Sequence, residues 1–437
     1  MKVSELCAQI AEAKVVFPLG RIAELKHGTV RVAGIDGHAA IGARVSLGAS
    51  GNEGEVVALA RDGATVLPDR GITGLALGQR VTLLRHAHSV RPSQLWLGRV
   101  IDANGRAMDG APLPVGDRPM QIRALPPVAV TRGRLGTRIE TGLAVFNTFL
   151  PIVHGQRIGL FAGSGVGKSR LLANLARKVE ADVIVIAMVG ERGREVRQFT
   201  EDVMGQDGEK QSVVVAATSD EAPVRRHRAA LTAMSVAEYF RDQGQHVLFI
   251  MDSVTRFAEA FREVQTGLGA GSAARGYPAA TAHEIMSLCE RAGPGKAGAG
   301  AITAVFSVLV AGSDMDEPVA DILRGVLDGH VVMDREIAER GRFPAIDLLR
   351  SVSRSLPEAA SEKENALLVE ARALLGKYER SRVMIEAGLY TRGADAELDR
   401  AVDLWPDLDA FVGRTESDDI AGSFDRLALI LRRARKS

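Results

Sequence analysis

Short apolar segments separated by glycine-containing turns occupy the first part of the chain. They lie at residues 29–32, 43–45, 54–59 and 80–84. Evenly spaced short strands are typical of a small β-barrel. We therefore predict an N-terminal β-barrel domain over residues 1–90, preceded by a short helix at residues 2–14.

The middle of the chain alternates near-continuous apolar runs with stretches of helical periodicity, such as 229–241 and 253–264. A parallel strand buried on both faces reads as a continuous apolar run. The alternation predicts an α/β domain with a mostly parallel sheet and helices on both faces, over residues 91–356. Its Pro- and Gly-rich beginning, 91–133, is interpreted as a connector. The predicted strands are 157–161, 183–189, 212–217, 246–251 and 302–310.

Helical periodicity without strands follows at residues 362–379 and 418–436, which predicts a C-terminal helical domain over residues 357–437. The most apolar stretch, 299–311, is shorter than the about 20 residues of a membrane-spanning helix. The first residues do not form a signal peptide pattern, because Glu5 interrupts them early. These observations favour a cytoplasmic protein.

Composition narrows the possible functions. The 437 residues include 55 Lys and Arg against 54 Asp and Glu, and only 4% are aromatic. A nucleic-acid binder usually has a basic excess and stacking aromatics, so no nucleic-acid partner is expected. The basic run 225–228 is interpreted as a solvated helix start rather than a nucleic-acid patch. Cys7 and Cys289 lack metal-ligand spacing and fit a reducing compartment. The pair His86 and His88 has no further evident ligand, so no metal is predicted there.

The most informative motif is a glycine-rich run between the strand 157–161 and a helical pattern. Its glycines can turn backbone N–H groups onto an anion, and the helix N-terminus adds its dipole. Lys168 can reach the β- and γ-phosphates of a nucleotide, and Ser169 can bind Mg²⁺. The alternative is a glycine-rich turn that binds nothing. The run reads Ala162-Gly163-Ser164-Gly165-Val166-Gly167-Lys168-Ser169, with Ala162 in the place of the usual first glycine.

Two further strand ends carry candidate chemistry. The strand 246–251 runs into Asp252, whose carboxylate would contribute to the Mg²⁺ shell. The strand 183–189 runs into a charged turn, in which Glu191 could activate water as a general base. Arg192 could stabilise charge on the γ-phosphate, and Glu195 could contact a Mg²⁺-bound water. From composition alone, a surface loop of salt-bridged charges is the favoured alternative for this turn.

Residues 97–354 resemble the catalytic subunits of hexameric rotary-type ATPases, and within that superfamily the ATPases of flagellar and virulence type III protein export. The resemblance implies a central RecA-like P-loop ATPase domain. Besides the glycine-rich run, it rests on the motifs Gly155-Gln156-Arg157, Gly190-Glu191-Arg192-Gly193-Arg194-Glu195, Asp252-Ser253-Val254-Thr255-Arg256, Gly276-Tyr277-Pro278, Glu290-Arg291-Ala292-Gly293, Leu327-Asp328-Gly329-His330 and Phe343-Pro344-Ala345-Ile346-Asp347.

The resemblance also implies residue roles. Glu191 matches the catalytic glutamate, and Arg354 matches an arginine finger that reaches the neighbouring subunit, so the active unit would be a homohexamer. Phe343 matches an aromatic residue that stacks on adenine, and Arg256 an arginine near the phosphates. Tyr390 is a looser match to the adenine pocket. Two departures, Arg170 in place of a common Thr and the stretch 279–284, leave the proposed catalytic groups intact.

By the same resemblance, the function would be Mg²⁺-dependent ATP hydrolysis that energises or times protein export. The segment 311–318 would face a stalk-like coiled-coil protein, although an acidic helix-capping turn explains it equally well. The N-terminus would bind a stator-like regulatory protein, and the C-terminal helices would meet export chaperone–substrate complexes. The enzyme would lie at the inner face of the membrane and act on the export gate indirectly.

Other functions remain open at the level of sequence. One alternative is the catalytic subunit of a rotary ATP synthase or ion-pumping ATPase, which alternates two kinds of subunit. An RNA-dependent hexameric helicase is disfavoured by the balanced charge and scarce aromatics. A nucleotide-binding scaffold without activity is disfavoured by Glu191.

Overall fold

A computed structural model describes most of the chain. The predicted helix 2–14, Cys7 and His86 lie outside the described residues, as does the first half, 311–314, of the predicted stalk-facing segment. The described ranges are residues 17–26, 28–49, 51–84, 88–205, 211–271, 276–310, 315–416 and 419–433.

The strands follow one another in three groups along the chain. The first group is β1 (Leu19–Lys26), β2 (Thr29–Ala33), β3 (Arg44–Leu47), β4 (Asn52–Ala60), β5 (Gly63–Pro68) and β6 (Arg80–Leu83). The second is β7 (Ser89–Val90), β8 (Arg99–Ile101), β9 (Met120–Gln121), β10 (Arg157–Ala162), β11 (Val183–Glu191) and β12 (Ser212–Thr218). The third is β13 (His246–Asp252), β14 (Gly293–Pro294), β15 (Ala301–Leu309), β16 (Gly329–Met333) and β17 (Ile346–Ser353).

The helices lie between and after these strands, with short 3-10 turns at Gln94–Trp96 and Ala129–Thr131. Up to residue 300 they are α1 (Ala144–Asn147), α2 (Lys168–Lys178), α3 (Gly193–Met204), α4 (Pro223–Arg241), α5 (Val254–Gly267) and α6 (Ala280–Arg291). Beyond it are α7 (Pro318–Val326), α8 (Arg335–Glu339), α9 (Glu362–Glu386), α10 (Ala396–Val412) and α11 (Ile420–Arg433).

The predicted N-terminal barrel is confirmed. Strands β1 to β6 close in the order β1-β2-β5-β4-β3-β6, with β6 pairing antiparallel to β1. Alternate residues of each strand point inward, as the period of two in a strand requires. Val30, Val32, Val45, Val66 and Val81 are fully buried in the barrel core. This apolar interior is what holds the strands in register.

The chain forms two compact units, and the first comprises Met1–Arg132 with Asp182–Ile302. Beside the barrel it contains the parallel strands β13, β11, β12 and β8, paired in that order. Helix α4 packs on β11, β12 and β13. Strand β8 lies inside the segment that we interpreted as a connector, so that segment also supplies an edge strand to the sheet. The observed bounds of β11, β12 and β13 confirm the predicted strands to within two residues.

The second unit comprises Gly133–Ala181 with Thr303–Ser437. Strand β10 pairs parallel with β15 and with β16, and β17 runs antiparallel to β16 at the edge. Helices α9, α10 and α11 pack together, and α10 and α11 also contact α1. The predicted C-terminal helical region is therefore confirmed. No helix in the described ranges is long and apolar enough to cross a membrane.

One prediction in the first unit is wrong. We predicted that the basic run 225–228 is a solvated helix start, but His227 and Arg228 are only 5% and 6% exposed. Each basic side chain of the run meets a carboxylate from a distant part of the chain, and such partners allow His227 and Arg228 to be buried. The pairs are Arg225 with Asp102 at 3.1 Å, Arg226 with Glu263 at 2.8 Å, His227 with Glu284 at 2.9 Å, and Arg228 with Glu55 at 3.2 Å.

Candidate nucleotide-binding and catalytic site

The glycine-rich run of the second unit forms a tight turn between β10 and α2. Gly165 and Gly167 adopt φ values of +79° and +88°, the left-handed region that favours glycine. No heavy atom lies within 4 Å of the position that a Cβ on Gly165 would take, so the turn is open on that side. Val166 anchors the turn with a side chain only 2% exposed. The geometry presents backbone N–H groups and a helix N-terminus to an anion.

Lys168, Ser169 and Arg170 form the first turn of α2. Ser169 and Arg170 are exposed, and Lys168 is half-buried. An accessible hydroxyl beside a cation at a helix N-terminus suits a phosphate accompanied by Mg²⁺. Mg²⁺ is usually held by one or two protein oxygens together with the substrate phosphates rather than by a protein cage. The described residues hold no group of three or more His, Cys, Asp or Glu placed for a metal ion.

Phe343 lies against this turn. Its Cδ1 and Cε1 atoms are each 3.3 Å from the position that a Cβ on Gly167 would take. The ring is 43% exposed, which leaves an aromatic face available to a ligand. The structure thus brings together the turn and the residue to which the family resemblance assigned adenine stacking.

Arg354 and Tyr390 are placed differently in the second unit. Arg354 follows β17 directly, its side chain is exposed, and its Nη2 donates to the Arg324 carbonyl at 3.0 Å. The Tyr390 hydroxyl donates to Asp399 Oδ1 on α10 at 2.5 Å, and this bond raises the pKa of Tyr390. Tyr390 is therefore engaged by a helix of the C-terminal region.

In the first unit, two predicted residues lie at the carboxyl ends of neighbouring parallel strands. Asp252 is the last residue of β13, is 2% exposed, and pairs in register with Met188 of β11. Strand β11 continues past a bulge at Gly190 and ends at Glu191. The Glu191 carbonyl accepts from the Ser219 N–H at 3.0 Å, which fixes the backbone there. Ligand sites of parallel sheets lie at this strand edge.

Arg192 and Glu195 flank the start of α3 in the first unit. Their side chains approach to 3.8 Å and are 77% and 42% exposed. A pair this exposed contributes little to stability and leaves both groups accessible. The geometry is compatible with both alternatives for the turn, a surface loop of salt-bridged charges and a set of accessible catalytic groups.

Arg256 lies in the first turn of α5, which Ser253 caps by accepting from the Arg256 N–H at 3.4 Å. Its Nη1 donates to Glu259 Oε2 at 2.8 Å. This bond, followed by the charges of Glu259, Glu191 and Glu195, raises the pKa of Arg256 despite partial burial. The predicted base Glu191 and the predicted phosphate arginine are thus electrostatic neighbours.

Sequence reasoning missed two residues that shape these sites. Glu259 stands three positions after Arg256, a spacing that predicts side-chain contact on a helix and could have identified it. Asp328, within a motif singled out from the sequence, accepts from the N–H and Nε of Arg157 at 3.0 and 3.1 Å, which ties β10 to the chain that leads into β16. That contact joins residues far apart in the sequence, so no local pattern reveals it.

Comparisons with known proteins identify the family. The profile of the ATP synthase alpha/beta family, nucleotide-binding domain, matches residues 142–353. That of the T3SS EscN ATPase C-terminal domain matches residues 360–428. The fold and the P-loop define the class: the chain belongs to the ATP synthase alpha/beta family of P-loop ATPases.

Its relatives place the chain more narrowly. It is 42% identical over 436 residues to a flagellum-specific ATP synthase of Caulobacter vibrioides, which covers 97% of this chain and 98% of the relative. It is 40% identical to the SPI-2 type 3 secretion system ATPase of Salmonella typhimurium, covering 84% of each chain. Within its family, the chain is an ATPase of the flagellar and type III export group, and the resemblance stated from the sequence is confirmed.

Solved structures lead to the same group. The assembled ATPase EscN of the enteropathogenic E. coli type III secretion system matches with a TM-score of 0.88 and 34% identity, covering 94% of this chain and all of EscN. EscN in complex with its central stalk EscO matches with a TM-score of 0.85 and 34% identity, over 94% of this chain and all of EscN.

Proposed function

We propose that this chain is a Mg²⁺-dependent ATPase that works as a homohexamer in flagellar protein export. The observation that carries the proposal is the likeness to a flagellum-specific enzyme over 97% of this chain, combined with a P-loop whose glycines keep the required left-handed geometry. The Caulobacter vibrioides relative, which matches over 97% of this chain, is flagellum-specific, whereas the SPI-2 relative matches over 84%; this favours the flagellar role.

In this proposal the turn 163–167 and Lys168 hold the phosphates, with Arg170 at the rim. Ser169 and Asp252 would hold Mg²⁺, and Glu195 would contact one of its waters; the ion neutralises charge on the β- and γ-phosphates. Glu191 accepts the proton of the attacking water. Arg192 and Arg256 face the phosphate charge, while Phe343 stacks on adenine and Tyr390 borders the base.

The position of Arg354 supports the proposed ring. This exposed arginine at a strand end, which donates to the Arg324 carbonyl within its own chain, would reach a neighbouring copy and act there as an arginine finger. As with EscN and its stalk, the ring would receive a coiled-coil stalk at its centre, contacted by segment 311–318. A regulator at the N-terminus, chaperone–substrate complexes at the C-terminal helices and the export gate complete the proposed partners. The enzyme would be cytoplasmic, at the inner face of the membrane.

Glu191→Gln tests the assigned base. We expect ATP hydrolysis to fall by about 10²- to 10⁴-fold, the usual contribution of a general base. Binding of a fluorescent ATP analogue should stay within twofold of the unchanged protein. Glu201→Gln, on the exposed face of α3, is the matched control and should hydrolyse ATP normally. Normal hydrolysis by Glu191→Gln would refute the assignment.

Mixing two inactive variants tests the ring. Subunits with Arg354→Ala keep a complete P-loop, and subunits with Lys168→Ala keep the finger. If the finger acts on the neighbouring copy, mixed rings contain sites with both groups and regain part of the activity. Native mass spectrometry verifies that mixed rings form. Mixed rings that stay inactive would show that Arg354 does not complete a neighbour's site.

A further inference from the structure

Three carboxylates act on the Arg256 guanidinium in the first unit. It donates to Glu259 Oε2 at 2.8 Å, and the charges of Glu191 and Glu195 also act on it. Only Glu259 belongs to the same helix, at a spacing that brings two side chains of one face together. Arg256 is thus paired with Glu259, to which no role has been assigned, and lies near Glu191, the proposed base.

The aliphatic stem of Arg256, its Cβ, Cγ and Cδ atoms, is packed more tightly than its guanidinium. A Cβ placed on Gly190 would lie 3.0, 3.2 and 3.5 Å from Cβ, Cγ and Cδ of Arg256, so the aliphatic stem lies tightly over the glycine. The side chain as a whole is 41% exposed. The guanidinium can therefore turn about its last bonds with little loss of packing, and the nearest strong acceptor decides where it points.

That direction matters for the chemistry at Glu191. An arginine in hydrogen-bond contact with a carboxylate occupies its lone pairs and favours its charged form. A carboxylate stabilised in this way is a weaker base toward water. If Arg256 turned to Glu191, the hydrolytic step would slow while the nucleotide-binding groups of the second unit stayed as they are.

We propose that Glu259 is a positioning residue that holds the Arg256 guanidinium and so prevents it from becoming the hydrogen-bond partner of Glu191. The pair is also partly shielded, since the Glu259 side chain is 26% exposed, which makes it stronger than a fully exposed helix pair. The inference rests on the proposed role of Glu191 as the base. It assigns no contact with ATP to Glu259 itself.

Glu259→Gln tests the inference because it removes the charge and keeps the shape. We expect kcat to fall by about tenfold, the scale of one charge-assisted hydrogen bond. KM for ATP and the Kd of a fluorescent ATP analogue should stay unchanged, and Tm should fall by no more than about 2 °C, the scale of one partly exposed ion pair. Glu263→Gln is the matched control, since Glu263 lies one turn further along α5 and pairs with Arg226 at 2.8 Å. Its kcat should equal that of the unchanged protein, and Glu259→Asp, which keeps the charge, should recover most of the rate.

The Arg256→Gln variant distinguishes a positioning role of Glu259 from a purely structural role. In Arg256→Gln protein there is no guanidinium to misdirect, so adding Glu259→Gln should change the single-turnover rate by less than twofold. An equal loss on both backgrounds, or an unchanged kcat in Glu259→Gln, would overturn the inference. If Glu191→Gln hydrolyses ATP normally, the proposed function fails instead, so the two failures are distinguishable.

Discussion

The P-loop of the second unit and the strand edge of the first unit offer different chemical groups to a nucleotide. The P-loop of the second unit is built from backbone: Gly165 and Gly167 in left-handed conformations and the N-terminus of α2. The strand edge of the first unit is built from side chains: Asp252 at the end of β13, Glu191 at the end of β11, and Arg256 on α5. One region presents N–H groups and the other presents charges.

The difference teaches which changes each region tolerates. A backbone cradle is sensitive to any added Cβ and to the cation at its rim, and it acts on binding. A side-chain edge is sensitive to charge and to the direction of each group, and it acts on the hydrolytic step. Changes in the second unit should therefore appear first in affinity, and changes in the first unit in kcat.

Lys168→Ala is expected to have the largest effect. Removal of the only lysine of the P-loop should lower affinity for a fluorescent ATP analogue by about 100-fold, since charged hydrogen bonds to phosphate are lost. Hydrolysis should fall to background. Arg177→Ala, on the last turn of the same helix, is the control and should bind and hydrolyse normally. Retained affinity in Lys168→Ala would break the assignment of binding to this region.

Gly190→Ala should reduce kcat by about 10- to 100-fold, because a Cβ there would lie 3.0 Å from Cβ of Arg256 and push its stem away. Gly190 also has a φ of +70°, so strain must be separated from contact. Gly244→Ala supplies this control: its φ is +87° and no heavy atom lies within 4 Å of the added Cβ. A similar loss of kcat in both variants would mean that strain alone is responsible.

Phe343→Leu should raise KM for ATP by about three- to tenfold with kcat unchanged, since the stacking surface against the P-loop is lost while its bulk is kept. The effect should shrink for a triphosphate that lacks a purine base. An equal change in KM for both nucleotides would remove Phe343 from the base pocket.

Glu284→Gln should change neither affinity nor kcat, because Glu284 lies on α6 in contact with His227. Burial alone would raise the pKa of Glu284, but the hydrogen bond and charge of His227, together with Arg123, hold this pKa at about 2. A lowered folded pKa gives stability above the unfolded value near 4.5, and that stability is lost as the pH falls toward 2. The variant should lack about 3 kcal/mol of stability at pH 6. It should also lose less stability than the unchanged protein on acidification, as measured by urea unfolding. An unchanged stability at pH 6 would contradict this reading of the pair.

The regular elements were the most predictable from sequence. Strands such as β10 and β13 are continuous apolar runs, and their observed bounds differ from prediction by one residue. Helix α10 was missed, because Pro406 within it argues against a helix by local rules. Tertiary packing of its buried residues, such as Leu404 and Leu408, overrides that preference.

Site residues that belong to a local motif could be predicted from the sequence. Ion pairs between residues that are far apart in the sequence could not. Residues 163–169 and the strand ends at Glu191 and Asp252 follow from local pattern. The partners of the run 225–228 come from positions as distant as Glu55 and Glu284, so local composition predicted exposure where the fold produces burial. A pairwise contact of this kind requires knowledge of topology that a single sequence lacks.

The closed order of the N-terminal barrel has a consequence for a protein of the export machinery. Each of its six strands is hydrogen-bonded on both sides, since β6 returns to β1. An open strand edge would offer unpaired N–H and C=O groups to any extended polypeptide nearby. An extended chain can add as a strand wherever such an edge is open. This closed barrel offers no such edge, so an extended chain finds no sheet to join there.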